Sequence, residues 1–299
     1  VMSVFILPIS SLALSYNEGE ICSSRFGAQL VGYDGGKFTH DTMNVMYYRP
    51  DGSTYYDTYT SSRPLSRMYL YTQNNVDEQW AYCVEYGVSF ASSSNGYTSQ
   101  NGNNSAYFNR LPASARHGIM LAALYGFQQE NSKLPVSGIN KDDYYMATQI
   151  VMWEYQQQVR TDAGARKDNG PVDKDSFYNI IKGRSAEKAY NYILGKIKEH
   201  GAIPSFARSD RDDPSLPTHT MKYDAQTKKY SVTLTDESNS GCDLTALNDN
   251  TAGVTVTRKG NQYTFTTSNI ISPITIGYKK KISMMDKPFL VWGRPGYQT

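Results

Sequence analysis

The chain has 299 residues, and its 30 Lys and Arg against 28 Asp and Glu give a formal net charge of +2. This balance argues against a nucleic-acid-binding protein, because such proteins concentrate positive charge where they meet phosphates. Hydrophobic residues make up 39% and charged residues 19%, which is too apolar for a disordered chain and too polar for a protein with many membrane spans. The 25 tyrosines, together with many Ser, Thr and Asn, favour an extracellular, strand-rich protein.

The first residues predict export. Residues 1–14 form an apolar run of signal-peptide length that is too short to span a bilayer. We therefore interpret residues 1–15 as the remnant of a signal peptide and expect a secreted protein of the cell wall or cell surface, with no membrane insertion of the mature domain. The alternative is a buried first strand.

The cysteine pattern indicates neither a metal site nor a cofactor. Cys22, Cys83 and Cys242 are far apart in the sequence, and there is no CxxC motif or Cys/His cluster with the spacing of metal ligands. An odd number of cysteines leaves at least one thiol unpaired in an exported chain. Cys22 and Cys242 either pair with each other or are two plain buried thiols.

Hydrophobic periodicity divides the chain into strands, then helices, then strands again. Strands are predicted over residues 43–49, 54–59, 67–72 and 80–90, followed by a loop over 91–105. Helices are predicted over residues 114–129, 140–158, 175–181 and 185–200, the first capped by Ser114 and the second by Asn140. Further strands are predicted over residues 230–234, 254–256, 263–265, 274–278 and 288–292.

This order predicts an α+β fold. A strand-rich barrel or sandwich portion (16–111) precedes an inserted helical subdomain (112–204), and further antiparallel strands follow (218–299). We expect residues 16–299 to form one functional domain, with stalk domains after residue 299.

Cys83 is the first candidate for chemistry, and it has two interpretations. In one it is a small buried hydrophobic residue, which is the usual fate of a free cysteine. In the other it is a nucleophile, which needs a lowered thiol pKa. Glu85 lies two residues further along the predicted strand, on the same face, and its carboxylate is expected to raise the thiol pKa. That position weakens the case for a cysteine hydrolase.

The second candidate is the segment from Thr148 to Trp153. Gln149 and Trp153 are four residues apart, so they share one face of the predicted helix. A glutamine beside an apolar stripe must have its amide satisfied or exposed. Periodicity alone predicts a core tryptophan beside a tolerated polar residue.

Taken together, Tyr82-Cys83-Val84 and Thr148-Gln149 with Trp153 resemble the thioester domains (TQXA type) of Gram-positive bacterial surface adhesins and pilus-tip proteins. That family carries an aromatic-Cys-hydrophobic motif, then a Thr-Gln motif ending in Trp, then a hydrophobic-Gln-hydrophobic motif. The third motif corresponds here to residues 297–299, with Gln298 at its centre. Residues 119–127 are similar to a family helix that ends in a Tyr-Gly turn.

The resemblance implies an internal thioester between Cys83 and a glutamine side chain. Such a bond attaches the protein covalently to lysine amines of a host surface or extracellular-matrix protein, so it makes a single-turnover binder rather than an enzyme. We favour Gln298 as the acyl donor, with Gln149 as the alternative. Supporting roles fall to Thr148, Gln149, Trp153, Tyr82 and Glu85. Aromatic shielding of the bond from water is expected from Tyr82, Trp80, Tyr86, Trp153 and Trp292.

Three rival functions remain open at this point. One is a surface module that binds glycan or protein without a covalent bond, using its many tyrosines and its Ser/Asn loops. Another is a hydrolase or acyltransferase that uses Cys83 with His117 or His200. The third is a pilus or stalk subunit with mechanical cross-links.

Overall fold

The computed structural model describes residues 19–30, 43–59, 65–71, 79–88, 90, 93–128, 132–208, 213–246, 252–270, 275–280 and 290–294. The interpreted signal-peptide remnant lies outside these residues. The chain divides into two compact units, one of residues 1–197 with 284–299 and one of residues 198–283. Four helices and antiparallel sheets confirm the predicted α+β class.

The largest sheet of the first unit has five strands in the order β13-β6-β1-β4-β5. Its strands are β1 (Ile21–Gln29), β4 (Ser66–Tyr71), β5 (Gln79–Ala81), β6 (Ser93–Asn101) and β13 (Leu290–Gly293). All neighbouring strands in this sheet are antiparallel. Strands β13 and β5 are four antiparallel steps apart, so they run in the same direction at the two edges and lead toward the same end of the sheet.

Strand β6 corrects the loop predicted over residues 91–105. Its Ser, Asn and Gly residues have low intrinsic strand propensity. They form a strand because β1 pairs with one edge of β6 and β13 with the other, which satisfies the backbone on both sides. Tyr97 and Ser99 are buried. The tertiary environment therefore overrides local propensity here.

A separate hairpin is formed by β2 (Met43–Tyr48) and β3 (Thr54–Tyr59), paired from Met43↔Tyr59 to Tyr48↔Thr54. Buried glutamines near the end of the second helix hold this hairpin. The Gln157 side-chain amide accepts from the Met46 N–H at 2.7 Å and donates to the Met46 carbonyl at 3.0 Å. One carboxamide thus takes the place of a neighbouring strand.

Helices α1 (Ala113–Tyr125) and α2 (Lys141–Gln156) pack against each other in the core of the first unit. The cap predicted for α1 at Ser114 is wrong, since Pro112 precedes the helix and makes no side-chain cap. The Asn140 cap of α2 is confirmed: its side chain accepts from the Asp143 N–H, and Asp143 accepts in return from the Asn140 N–H. This capping box fixes where α2 starts.

Helix α2 is buried along nearly its whole length, whereas the last helix of this group is amphipathic. The remaining helices are α3 (Ser176–Asn179) and α4 (Ser185–Gly201). In α4 the apolar stripe of Ala189, Ile193 and Ile197 is fully buried. Burial of α2 on all sides makes it the rigid element that carries the candidate site.

The second unit has its own small core around Tyr263 and Phe265. Its strands are β7 (Lys222–Asp224), β8 (Lys229–Thr235), β9 (Leu244–Ala246), β10 (Thr255–Lys259), β11 (Gln262–Thr267) and β12 (Tyr278–Lys280). The strands predicted over residues 254–256 and 263–265 form a hairpin, with Lys259 paired to Gln262 across the two-residue turn of Gly260 and Asn261.

A fully buried carboxylate, Asp236, connects the first residues of the second unit to one of its loops. It accepts hydrogen bonds from the Ser205 N–H, from the N–H and hydroxyl of Ser238, and from the N–H and hydroxyl of Ser240. Burial raises the pKa of Asp236, but these hydrogen bonds outweigh burial and hold the pKa well below its usual value.

We expect Asp236 to make stability depend on acid. A lowered folded-state pKa contributes stability above the unfolded value of about 3.9, and that stability is lost as pH falls through the folded pKa. Thermal unfolding of the wild type should therefore show a falling melting temperature below about pH 4, and Asp236→Asn should be less stable at pH 7 with a flatter acid limb. Equal acid limbs in the two proteins would contradict this role.

Candidate functional site

Cys83 lies in a turn rather than in the middle of a strand. The strand predicted over residues 80–90 is wrong, because β5 ends at Ala81 and bends and turns follow to Val88. Gly87 has a φ of +91°, which breaks the strand, and a Cβ at that position would lie 2.4 Å from the Tyr47 hydroxyl oxygen. Cys83 is 6% exposed.

The carboxamide of Gln149 holds the backbone of Cys83. Its Oε1 accepts from the Cys83 N–H at 2.8 Å, and its Nε2 donates to the Cys83 carbonyl at 2.7 Å. Gln149 is fully buried on α2. Both polar atoms of its side chain are therefore committed to positioning the turn, which satisfies the requirement that a buried amide be paired.

Two tyrosine hydroxyls fix the residues on either side of Cys83. Tyr107 donates to the Val84 carbonyl at 3.2 Å, and Tyr145 donates to the Ala81 carbonyl at 2.6 Å. The Tyr82 ring stacks on Tyr145 with centroids 4.6 Å apart, and its hydroxyl donates to the Phe127 carbonyl. The turn is thus held by hydrogen bonds at three carbonyl groups, those of residues 81, 83 and 84.

Thr148 connects α2 to the chain that leaves α1. Its hydroxyl donates to the Tyr144 carbonyl at 2.7 Å and accepts from the Phe127 N–H at 2.9 Å. Gly126 permits this approach, since a Cβ there would lie 2.3 Å from the Thr148 Cγ2. The Thr-Gln pair therefore positions two different segments: Thr148 holds the end of α1, and Gln149 holds Cys83.

Aromatic side chains cover one side of the turn. Trp153 meets Tyr86 edge to face at 4.8 Å and Phe177 at 6.0 Å. Trp80 packs against Phe127 and Tyr145 at 4.7 and 5.2 Å. Trp292 is also expected to shield the bond. Its side chain lowers the pKa of the Cys22 thiol, against the larger effect of burial.

The electrostatic environment keeps the Cys83 thiol protonated. Burial raises its pKa to about 12, while the Trp153 indole N–H and the Glu85 backbone N–H oppose the rise. The partly exposed Glu85 carboxylate adds to the rise, as its position in the sequence predicted. Neither His117 nor His200 is among the described groups that act on this thiol. A cysteine hydrolase needs such a partner.

The structure brings together most of the site residues proposed from the sequence. Gln149, Trp153, Tyr82 and Glu85 surround Cys83 or its neighbours, while Gln298 lies outside the described residues. Cys22, Cys83 and Cys242 are all buried free thiols, which answers the open question of pairing. Sequence reasoning missed Tyr107, which lies immediately before a short 3-10 helix and whose only signal is its aromatic character.

Comparison with known families matches residues 80–199 to the family model of the thioester domain. These residues belong to the thioester domain family. The match contains both Cys83 and the Thr148-Gln149 pair, the two parts of the site that the structure joins by hydrogen bonds. Thioester domains are found in surface adhesins. No curated protein and no solved structure matches the chain. Among the described residues, no helix is both long and apolar enough to cross a membrane.

Proposed function

We propose that this protein is a secreted cell-surface adhesin in which a Cys83–Gln298 thioester captures lysine amines of a host protein covalently. The observation that carries the proposal is the pair of hydrogen bonds from Gln149 to the backbone of Cys83. They hold a free, buried thiol inside the segment that matches the thioester domain family.

Direction of the edge strands supports Gln298 as the acyl donor. Cys83 follows β5 by two residues, and Gln298 follows β13 by five. Both residues therefore follow strands that lead toward the same end of the sheet, from its two opposite edges. Gln149 is less suited to this role, because its carboxamide already makes two backbone hydrogen bonds that an acyl donor would have to give up.

The chemistry requires an internal exchange followed by capture. The Cys83 sulfur attacks the carboxamide carbon, the C–N bond breaks, and ammonia leaves with the thiol proton. A lysine amine later attacks the same carbon, the C–S bond breaks, and the sulfur departs as a thiolate that takes up the proton lost by the amine. The products are a stable amide and a free thiol. Burial of Cys83 keeps water from the bond until an amine arrives.

Intact mass tests the proposal directly. Freshly purified protein should weigh one ammonia less than its sequence predicts, and Cys83→Ala should restore the sequence mass. Methylamine should then add one amine equivalent to the wild type and release one thiol. An unshifted mass in protein containing Gln298 would contradict the thioester and leave non-covalent binding of glycan or protein as the function.

A further inference from the structure

The indole N–H of Trp153 is a buried polar group that meets only a weak acceptor. Trp153 is 7% exposed, and its Nε1 makes no hydrogen bond of normal geometry among the described residues. A buried N–H without a partner costs about 1–3 kcal/mol. Such a group calls for a strong acceptor close to its N–H.

The position of Trp153 identifies that acceptor. Gln149 and Trp153 lie one turn apart on the same face of α2, and Gln149 is bonded to the backbone of Cys83. The ring of Trp153 contacts Tyr86, three residues beyond Cys83. The turn from Cys83 to Tyr86 therefore runs along α2 from Gln149 to Trp153, and the indole N–H interacts with the Cys83 thiol.

We propose that the Trp153 indole N–H is the hydrogen-bond donor to the Cys83 thiolate, both when the sulfur attacks the glutamine and when an amine expels it. This inference rests on the proposed function and names the residue that controls the rate of that site. In the resting thiol the N–H meets a weak acceptor, and in the thiolate it meets a full negative charge.

The need for such a donor follows from the burial of the sulfur. A thiol with a pKa near 12 is a weak nucleophile at neutral pH, and its thiolate is a poor leaving group. The Glu85 backbone N–H and the Trp153 indole N–H both lower that pKa. Within the part of the chain that the structure describes, the other titratable groups that act on the sulfur are Glu85, Tyr86, Tyr107 and Tyr145, and none of them is positively charged. The two N–H donors therefore stabilise the Cys83 thiolate, as a neighbouring positive charge does in other proteins with a reactive cysteine.

Trp153→Phe tests the role because it keeps an aromatic cover and removes only the N–H. Loss of one hydrogen bond to a charged group should slow opening of the thioester by methylamine about tenfold to a hundredfold. The matched control is Tyr155→Phe, which removes another unpartnered buried polar group, the Tyr155 hydroxyl, from the same helix. Tyr155→Phe should open at the wild-type rate.

Trp153→Ala separates donation from shielding. This variant opens the packing, so water reaches the bond and also solvates the departing thiolate, and hydrolysis should become faster. If Trp153 only shielded the bond, the thioester of Trp153→Phe would open at the wild-type rate or faster. The donor role instead predicts slower opening of the thioester in Trp153→Phe and faster hydrolysis in Trp153→Ala.

Alkylation of the free Cys83 thiol tests the donor role of Trp153 independently of the thioester. Iodoacetamide labelling of Cys83, followed by peptide mapping to exclude Cys22 and Cys242, should be slower in Trp153→Phe than in methylamine-opened wild type. Circular dichroism checks that the variant is folded. If the wild type shows no ammonia loss, the proposed function fails while this comparison still tests Trp153. Equal or faster alkylation in Trp153→Phe would overturn the inference.

Discussion

Replacing Gln298 by Ala should abolish the loss of ammonia and leave Cys83 as a free thiol in a folded protein. Bond formation needs the acyl carbon within roughly 3–3.5 Å of the sulfur, and only one glutamine can meet that requirement. The measurement is intact mass, with labelling of Cys83 to detect the free thiol. Persistence of the ammonia loss in Gln298→Ala would remove this residue as the acyl donor.

Gln149→Ala should have a different effect. The substitution leaves the buried N–H and carbonyl of Cys83 without their partner, so the turn becomes less ordered and the yield of the bond falls without disappearing. Gln157→Ala is the matched control, since Gln157 is also fully buried and holds the N–H and carbonyl of Met46 in the same way. It should lower stability and leave the ammonia loss intact.

Peptide mapping after methylamine treatment assigns the donor by chemistry. The methylamide marks the residue that carried the acyl group. A methylamide on Gln298 would support the assignment. A methylamide on Gln149 would overturn the assignment and retain the thioester.

The second large effect is expected at a buried ion pair near the end of α2. Arg160 donates to Glu154 at 2.7 Å, and their side chains are 3% and 0% exposed. Tyr190 also donates to Glu154, and Arg160 donates to the Gly164 carbonyl. Burial raises the pKa of Glu154, while Arg160 opposes the rise.

Arg160→Ala should reduce the free energy of unfolding by about 3–5 kcal/mol, because it leaves a carboxylate buried without its cation. Urea denaturation at pH 7 measures the loss. The double substitution Glu154→Gln with Arg160→Met removes both charges and should lose less than Arg160→Ala alone. If the single variant is as stable as the wild type, the pair does not hold the end of α2.

Local signals were sufficient for the helices and for the hairpins. The capping box at Asn140 and the apolar stripe of α4 are patterns within one segment, so the sequence displays them directly. Strand β6 was not predictable in this way, because its Ser- and Asn-rich residues become a strand only through pairing with β1 and β13, which are distant in the chain.

In the candidate site, too, the local signals were predictive and the long-range contacts were not. The Cys and Thr-Gln motifs led to Cys83 and Gln149, but nothing local indicates that the Gln149 amide would replace a strand for the Cys83 backbone. The predicted strand through Cys83 was wrong for this reason: aromatic and β-branched residues favour extension, and contacts with α2 and Gly87 impose a turn. Tyr107 and Tyr145 became visible only when the elements were assembled.

The proposed bond between the segments that follow the two edge strands has a consequence for the thermal stability of the protein before and after it reacts with an amine. A bond joining the residues that follow β5 and β13 turns most of the chain into a closed ring, which restricts the unfolded ensemble as a disulfide across a long loop does. Aminolysis cuts that ring open. If the proposed thioester forms, we expect the intact form to unfold at a higher temperature than the protein that has reacted with an amine.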